Sequence, residues 1–207
     1  MTNNVKITRV AQTKRGRFSL YTEEGFLFSV HPEVFALSGL GQGAEVSIQA
    51  LEELRRQSEL KTAKEKALSL LGHSSRTKKQ LYERLARHAD EEAAEAATRR
   101  MEELGLVDDA DYARRFANDM LHLKNWAPRR VAQELRRKGV DAETVESCLE
   151  ELADFDPVEK ITGIIQRKYL PLLGEQKGRN RAINALLRLG YDYEDIRSAL
   201  RRIEQEE

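Results

Sequence analysis

The stretch Asp108–Leu152 reads DDADYARRFANDMLHLKNWAPRRVAQELRRKGVDAETVESCLEEL, and three helices can be drawn through it. Asp108 and Asp109 stand where they can cap a first helix, their charge favoured at its positive end. Pro128 suits the first turn of a second helix, on which Val131 and Leu135 share a face. Gly139 turns the chain, and Asp141 caps a third helix carrying Val145, Leu149 and Leu152. The second helix is crowded with Arg and Lys, the third has neither, and no residue set in the stretch looks catalytic.

The unit recurs. Residues 131–152 lie without gaps over residues 182–203: Val131 meets Ala182, Leu135 meets Leu186, Gly139 meets Gly190, Val140 meets Tyr191 and Asp141 meets Asp192. Val145, Leu149 and Leu152 then meet Ile196, Leu200 and Ile203. A looser copy runs from Ala67 to Leu104, with Leu81 and Leu85 over Val131 and Leu135 and the turn His88-Ala89-Asp90 replacing the glycine turn. Repeats of about fifty residues predict units that stack and share a core with their neighbours. We place them at 61–107, 108–155 and 156–207. Thr77 with Gln80, and Asp156-Pro157 with Glu159, have capping-box spacing and mark helix starts.

Residues 1–46 read differently, as a small β-rich module. Val5, Ile7 and Val10 begin a run that breaks at Thr13-Lys14-Arg15-Gly16. Phe18 and Leu20, then Phe26 and Phe28, are spaced by two, as half-buried strands require. Glu23-Glu24-Gly25 supplies the second turn, so a three-stranded meander is expected. His31-Pro32 opens a helical turn, and Gly39, Gly41 and Gly43 shape turns rather than a phosphate loop, since no Lys-Ser or Lys-Thr follows. From residue 47 an apolar pattern at spacings of three and four predicts one long helix to residue 72, with Gly72 as its stop.

Composition narrows the function classes. The chain has 207 residues, 40% hydrophobic and 34% charged, with net charge zero. Wide solvated helix faces are implied, and any nucleic-acid site must come from local segregation of charge. The single Cys148 cannot form an internal disulfide and sits in an apolar register, as a small core residue would. No run of about 18 apolar residues occurs, and the polar N-terminus lacks a signal-peptide pattern, so a soluble cytoplasmic protein is expected.

Charge is segregated within each repeat. Arg76, Lys78, Lys79 and Arg84 precede an acidic helix with Glu91, Glu92, Glu95, Glu102 and Glu103. In the middle repeat Arg114, Arg115, Lys124, Arg129, Arg130, Arg136, Arg137 and Lys138 are followed by Asp141, Glu143, Glu146, Glu150, Glu151 and Asp154. Lys177, Arg179, Arg181 and Arg188 repeat the basic half in the third. Opposite signs can simply pair between neighbouring helices. Alternatively the second helices line up a basic stripe that follows a phosphate backbone or an acidic protein surface. Trp126, the single tryptophan, is either a plug between helices or a stacking platform. Catalytic residues, cofactors and a metal site are not expected: His31, His73, His88 and His122 have no ligand spacing, and no nucleophile has a base nearby.

The segments Asp108-Asp109-Ala110-Asp111-Tyr112-Ala113-Arg114 and Ala127-Pro128-Arg129-Arg130-Val131 through Val140 resemble the core signature of the RecX family, bacterial regulators of the RecA recombinase. The likeness extends over about Ala67–Ile203. His73 and Ser74 stand where the family usually has an Arg pair, Gln80 where Glu is usual and Ala127 where Gly is common. The resemblance implies a mainly α protein of three tandem helix-turn-helix-like three-helix repeats in an elongated, curved array. It also implies binding in the groove of the RecA–single-stranded-DNA filament, with inhibition of strand exchange, ATP hydrolysis and co-protease activity. The partners expected are the RecA filament and single-stranded or double-stranded DNA, with no membrane, for a monomer that is not an enzyme. A sequence-specific helix-turn-helix regulator and a helical-repeat protein scaffold are the alternatives. The first would place base-reading side chains on the final helix of each unit, where this chain is acidic.

Overall fold

The computed structural model describes residues 4–151 and 155–206. Leu152 and Asp154, placed by the sequence in the repeat and in the acidic helix, lie outside the described residues. The chain divides into two compact units, residues 1–108 and 109–207. It is mainly helical, with short antiparallel strands near the N-terminus.

The first unit opens with β1 (Asn4–Lys6), β2 (Arg9–Gln12), β3 (Phe18–Thr22) and β4 (Gly25–Val30), then α1 (Pro32–Ser38) and β5 (Glu45–Ser47). The expected meander is β2–β3–β4, but the run Val5–Val10 does not form one strand. It splits at Ile7, which is fully buried, and β1 pairs instead with β5, a strand the sequence reading missed. Spacing by two also fails in β4. Phe26 pairs with Tyr21 and Phe28 with Leu20, so the bulge at this point puts the two phenylalanines on opposite faces. Phe28 packs at the core with Leu20 and Val30, whereas Phe26 is 60% exposed.

Ser47 caps α2 (Ile48–His73), its hydroxyl accepting from the Ala50 N–H. Leu51 and Leu54 of this helix close the strand core. One turn further on, Arg17 reaches it from β3's approach, donating to Thr62 Oγ1 at 2.9 Å, Ser58 Oγ at 3.2 Å and the Ser29 carbonyl at 2.8 Å. Gly72 does not stop the helix. The chain continues to His73 and leaves the helix at Ser74, extended at φ −164°. α3 (Lys78–Leu85) then starts from Thr77 with a complete capping box to Gln80, and α4 (Glu91–Glu103) from Asp90. Leu81, Leu85, Ala94, Ala97 and Met101 pack with Ala63 and Ala67 of α2.

The second unit holds α5 (Asp109–His122), α6 (Pro128–Arg137), α7 (Ala142–Glu150), α8 (Pro157–Lys168), a 3-10 turn (Leu170–Leu172), α9 (Gln176–Arg188) and α10 (Tyr193–Glu206). Ala113, Ala117, Leu121, Val131, Leu135 and Val145 form one core, and Ile161, Ile164, Ile165, Leu186, Ile196 and Ile203 another. Both expected glycine turns are present, Gly139 at φ 90° and Gly190 at φ 95°. Asp141 caps α7 through Thr144, and Asp156 caps α8 through the N–H groups of Val158 and Glu159. The two cores meet at Ala127, which sits at the start of α6 yet is buried among the residues of α8–α10. Its N–H donates to the Leu189 carbonyl at 2.9 Å.

Candidate nucleic-acid interface

Helix α6 buries Val131, Ala132 and Leu135 on one side and leaves Arg129, Gln133, Arg136 and Arg137 exposed on the other. Pro128 fixes φ at its first turn without losing a helix hydrogen bond, so the helix begins abruptly after Ala127. Arg129, Arg130, Gln133 and Arg137 line one wall of a cleft of about 470 Å³, and Arg188 and Tyr193 line the other. Two carboxylates temper it: Arg129 pairs with Asp192 at 2.8 Å, and Arg137 with Glu134 at 2.7 Å.

Three of the expected contact residues turn inward. Arg130 lays its guanidinium over the Trp126 ring at 3.8 Å and donates to the Arg188 carbonyl. Trp126 meets Phe116 edge-on at 6.2 Å between centroids, and Phe116 stacks on Tyr112 at 6.1 Å. Lys138 lies over the same aromatic pair, 5.1 Å from the Phe116 centroid. Trp126 is thus a half-buried plug with one face already covered by a cation.

The remaining expected residues are dispersed. Lys124 shares a neighbouring hollow with Arg188. Arg114 faces Glu143 and Glu151 in a separate cleft, Arg115 pairs with Asp111 on its own helix, and Arg179 pairs with Glu204. Lys177, Arg181 and Arg136 are exposed. Arg76, Lys78, Lys79 and Arg84 belong to the first unit, where Lys78 pairs with Glu102 at 2.6 Å and Lys79 stands 3.8 Å from Glu83. Arg76 is half-buried, its Nε without a hydrogen-bond partner among the described residues. Pairing between neighbouring helices therefore accounts for part of the segregated charge, as at Lys78, and within-helix pairing for another part.

Opposite charge dominates α7. Glu143, Glu146 and Glu150 are exposed, and Asp141 has its carboxyl held below the usual range by the Thr144 hydroxyl and N–H. Cys148 behind them is 5% exposed, with burial pushing its thiol up. Tyr191, the counterpart of Val140, is also buried, and its hydroxyl finds no partner among the described residues. Burial pushes that phenol up to about 12.

His31, Glu33 and Glu65 bring their ligand atoms within 4.8 Å of one another, a proximity that their separation in sequence conceals. The geometry is that of an ion-pair network. His31 Nδ1 accepts from the Glu33 N–H, Nε2 faces Glu65 at 3.1 Å, and Lys61 sits 2.6 Å from Glu33. Lys61 holds the Glu33 carboxyl below its ordinary value, and Glu33 raises the Lys61 ammonium in return.

Sequence reasoning assigned no role to Gln133, Tyr193, Lys168 or Tyr169, which line the two hollows beside Arg188. It looked mainly to the second helix of each repeat, with Arg114 and Arg115 of α5 as exceptions, whereas Lys168 ends the first helix of the third repeat. Among the described residues no helix is long and apolar enough to cross a membrane.

Comparison with known proteins bears on the same segments. The family model described as the RecX first three-helix domain matches residues 63–101, and that of the RecX second three-helix domain matches residues 108–149. A protein named regulatory protein RecX from Lactobacillus delbrueckii subsp. bulgaricus is 32% identical over 172 residues. That match covers 82% of this chain, which spans 62% of the relative's length. Another of the same name, from Clostridioides difficile, is 25% identical over 201 residues, 95% of each chain. A crystal structure of regulatory protein RecX superposes with a TM-score of 0.65 at 19% identity, covering 94% of this chain and 98% of its own. A RecX structure from Lactobacillus salivarius gives 0.59 at 20% identity, covering 71% and 97%. At those identities the structural likeness concerns the fold.

Proposed function

Because the chain belongs to the RecX family, we propose that it is a negative regulator of RecA, binding the RecA–single-stranded-DNA filament in its groove. Binding there inhibits recombinase, ATPase and co-protease activities, with no chemistry of the regulator's own. In this reading the repeats at 61–107, 108–155 and 156–207 act as a tandem array spanning adjacent filament protomers, and the protein works as a cytoplasmic monomer. The observation that carries it is the exposed basic side of α6, Arg129, Arg136 and Arg137, set against a buried apolar side. A polyanionic filament presents the complementary surface. The exposed carboxylates of α7 argue against a helix-turn-helix reader of duplex sequence, because the final helix of the unit would face phosphate with Glu143, Glu146 and Glu150.

The test is the ATPase of RecA on single-stranded DNA with the full chain titrated in. Turnover is expected to fall as the regulator approaches stoichiometry with RecA, and an unchanged rate there overturns the proposal. Replacing Arg129, Arg130, Arg136 and Arg137 by Ala together is expected to weaken filament binding by roughly tenfold, about 1.4 kcal/mol. The salt dependence of binding should flatten with it. Full inhibition by a folded quadruple variant would remove α6 from the contact.

A further inference from the structure

Beside the α6 cleft, three cations converge on a second hollow of about 230 Å³ within the second unit. Lys124 follows the end of α5, Lys168 ends α8 and Arg188 ends α9. All three are exposed, and among the described residues none has a carboxylate at ion-pair distance. The α6 cleft differs in this respect, since Asp192 and Glu134 engage two of its arginines.

Cations at helix C-termini can serve only to offset the helix dipoles, so the magnitudes matter. Each C-terminus contributes roughly half a negative elementary charge, and three sum to about 1.5 against three full positive charges. Part of that backbone charge is already engaged: the Arg188 carbonyl accepts from Arg130, and the Leu189 carbonyl from the Ala127 N–H. The hollow stays positive after the dipoles are counted.

Two further observations distinguish it from an ordinary basic surface. Asn125 holds φ at 55°, a left-handed value uncommon outside glycine and stored where a chain must change direction sharply. Through it Lys124 reaches the hollow while Trp126, two residues on, packs against Phe116. The lining also includes buried Ile164 and half-buried Tyr169, an apolar and aromatic surface beside the charges. A carboxylate side chain has little to place against such a surface, whereas a nucleotide carries a sugar and a base next to its single negative charge.

We propose that this hollow holds a phosphodiester of single-stranded nucleic acid, with Lys124, Lys168 and Arg188 around the phosphate and Tyr169 against the adjoining sugar or unpaired base. The inference rests on the filament-binding reading and deepens it, naming nucleic acid as what this part of the chain touches.

Titration of the full chain against a fluorescein-labelled oligothymidine over a series of NaCl concentrations tests it. For single strands the log–log salt slope falls by about 0.7 for each phosphate that the protein no longer neutralises. Replacing Lys124, Lys168 and Arg188 by Ala together removes the cradle of one phosphate and is expected to reduce the slope by about 0.7. Lys168→Arg should keep the slope, and Tyr169→Leu should weaken binding without changing it. Lys66→Ala, an exposed change on α2 in the first unit, serves as the control and should leave both intact. A triple variant with the wild-type slope overturns the proposal. So does a polyglutamate that displaces the oligonucleotide as well as unlabelled oligothymidine of equal charge, which would mark a site for acidic protein. RecA ATPase measured in parallel separates the two readings. A reduced slope in the triple variant, with no ATPase inhibition by the wild type, leaves the hollow and removes the regulator, and inhibition with an unchanged slope does the reverse.

Discussion

Gly190 carries two demands at once. Its φ of +95° lies in the region that side chains other than glycine avoid, and a Cβ built there would stand 2.6 Å from the Arg130 Cβ. That neighbour is the root of a side chain, held by its guanidinium on Trp126, so it cannot swing aside cheaply. Gly190→Ala is expected to cost about 2–4 kcal/mol, the left-handed penalty plus overpacking. Gly105 provides the contrast: φ is +68° but nothing lies within 4 Å, so Gly105→Ala should cost only about 1–2 kcal/mol. Urea unfolding of both variants checks the difference, and equal losses would remove the Arg130 contact from the account. The turn at Gly190 was readable from sequence, because a left-handed residue before a capping Asp is a local pattern. Its contact with Arg130 was not, since packing between segments far apart in the chain decides it. The same holds for Arg130 itself, expected in solvent and found on the Trp126 ring.

Between elements, the junction of α2 with the start of α4 has a pH dependence of defined sign. Burial raises the Glu59 carboxyl above its ordinary range, the Asp90 carboxyl beside it adds to the rise, and Arg55 at 2.9 Å opposes it. Asp90 is lowered in turn, first by its hydrogen bond with Glu59 and then by the Ala93 N–H that it caps. A raised acid binds its proton more tightly in the folded state. Its contribution is therefore fully present below the ordinary carboxylate range and is lost as pH rises through the raised value. Glu59→Gln keeps a donor toward Asp90 without the charge, so the variant should exceed the wild type in stability at pH 7. The gap should close below about pH 4, where Glu59 is itself protonated. Thermal melts at the two pH values decide, and destabilisation at both would show that the Arg55 ion pair outweighs burial. At this scale the helices were largely legible, with caps at Thr77, Asp141 and Asp156 as read. The strands were less so. Glu45–Ser47 is short enough to read as the approach to a helix, and a bulge inverts Phe26 without leaving a mark in the residue pattern.

Neither unit of the whole molecule has a net charge that would draw it to DNA. Residues 1–108 carry 17 basic and 16 acidic side chains, and residues 109–207 carry 18 and 19. Attraction to a polyanion therefore depends on keeping acidic helices away from the contact, and α7 is the element where this matters most, because it packs against α6 itself. Its exposed Glu143, Glu146 and Glu150 are within reach of the α6 field at low ionic strength, where the Debye length is about 10 Å at 0.1 M and longer below it. Replacing the three by Gln leaves the Asp141 cap and the buried Val145 and Cys148 untouched. If α6 and its neighbouring hollow face nucleic acid, the variant should bind single-stranded DNA roughly three- to tenfold more tightly at low salt, an advantage that fades above about 0.3 M. If α7 instead meets basic groups on the recombinase, the same variant should lose filament inhibition while its DNA affinity rises. Anisotropy on DNA alone and ATPase on the filament read the two effects separately. An unchanged DNA affinity at low salt would mean that α7 stands outside the field of the contact, and that the division of charge between α6 and α7 serves their mutual packing rather than the partner.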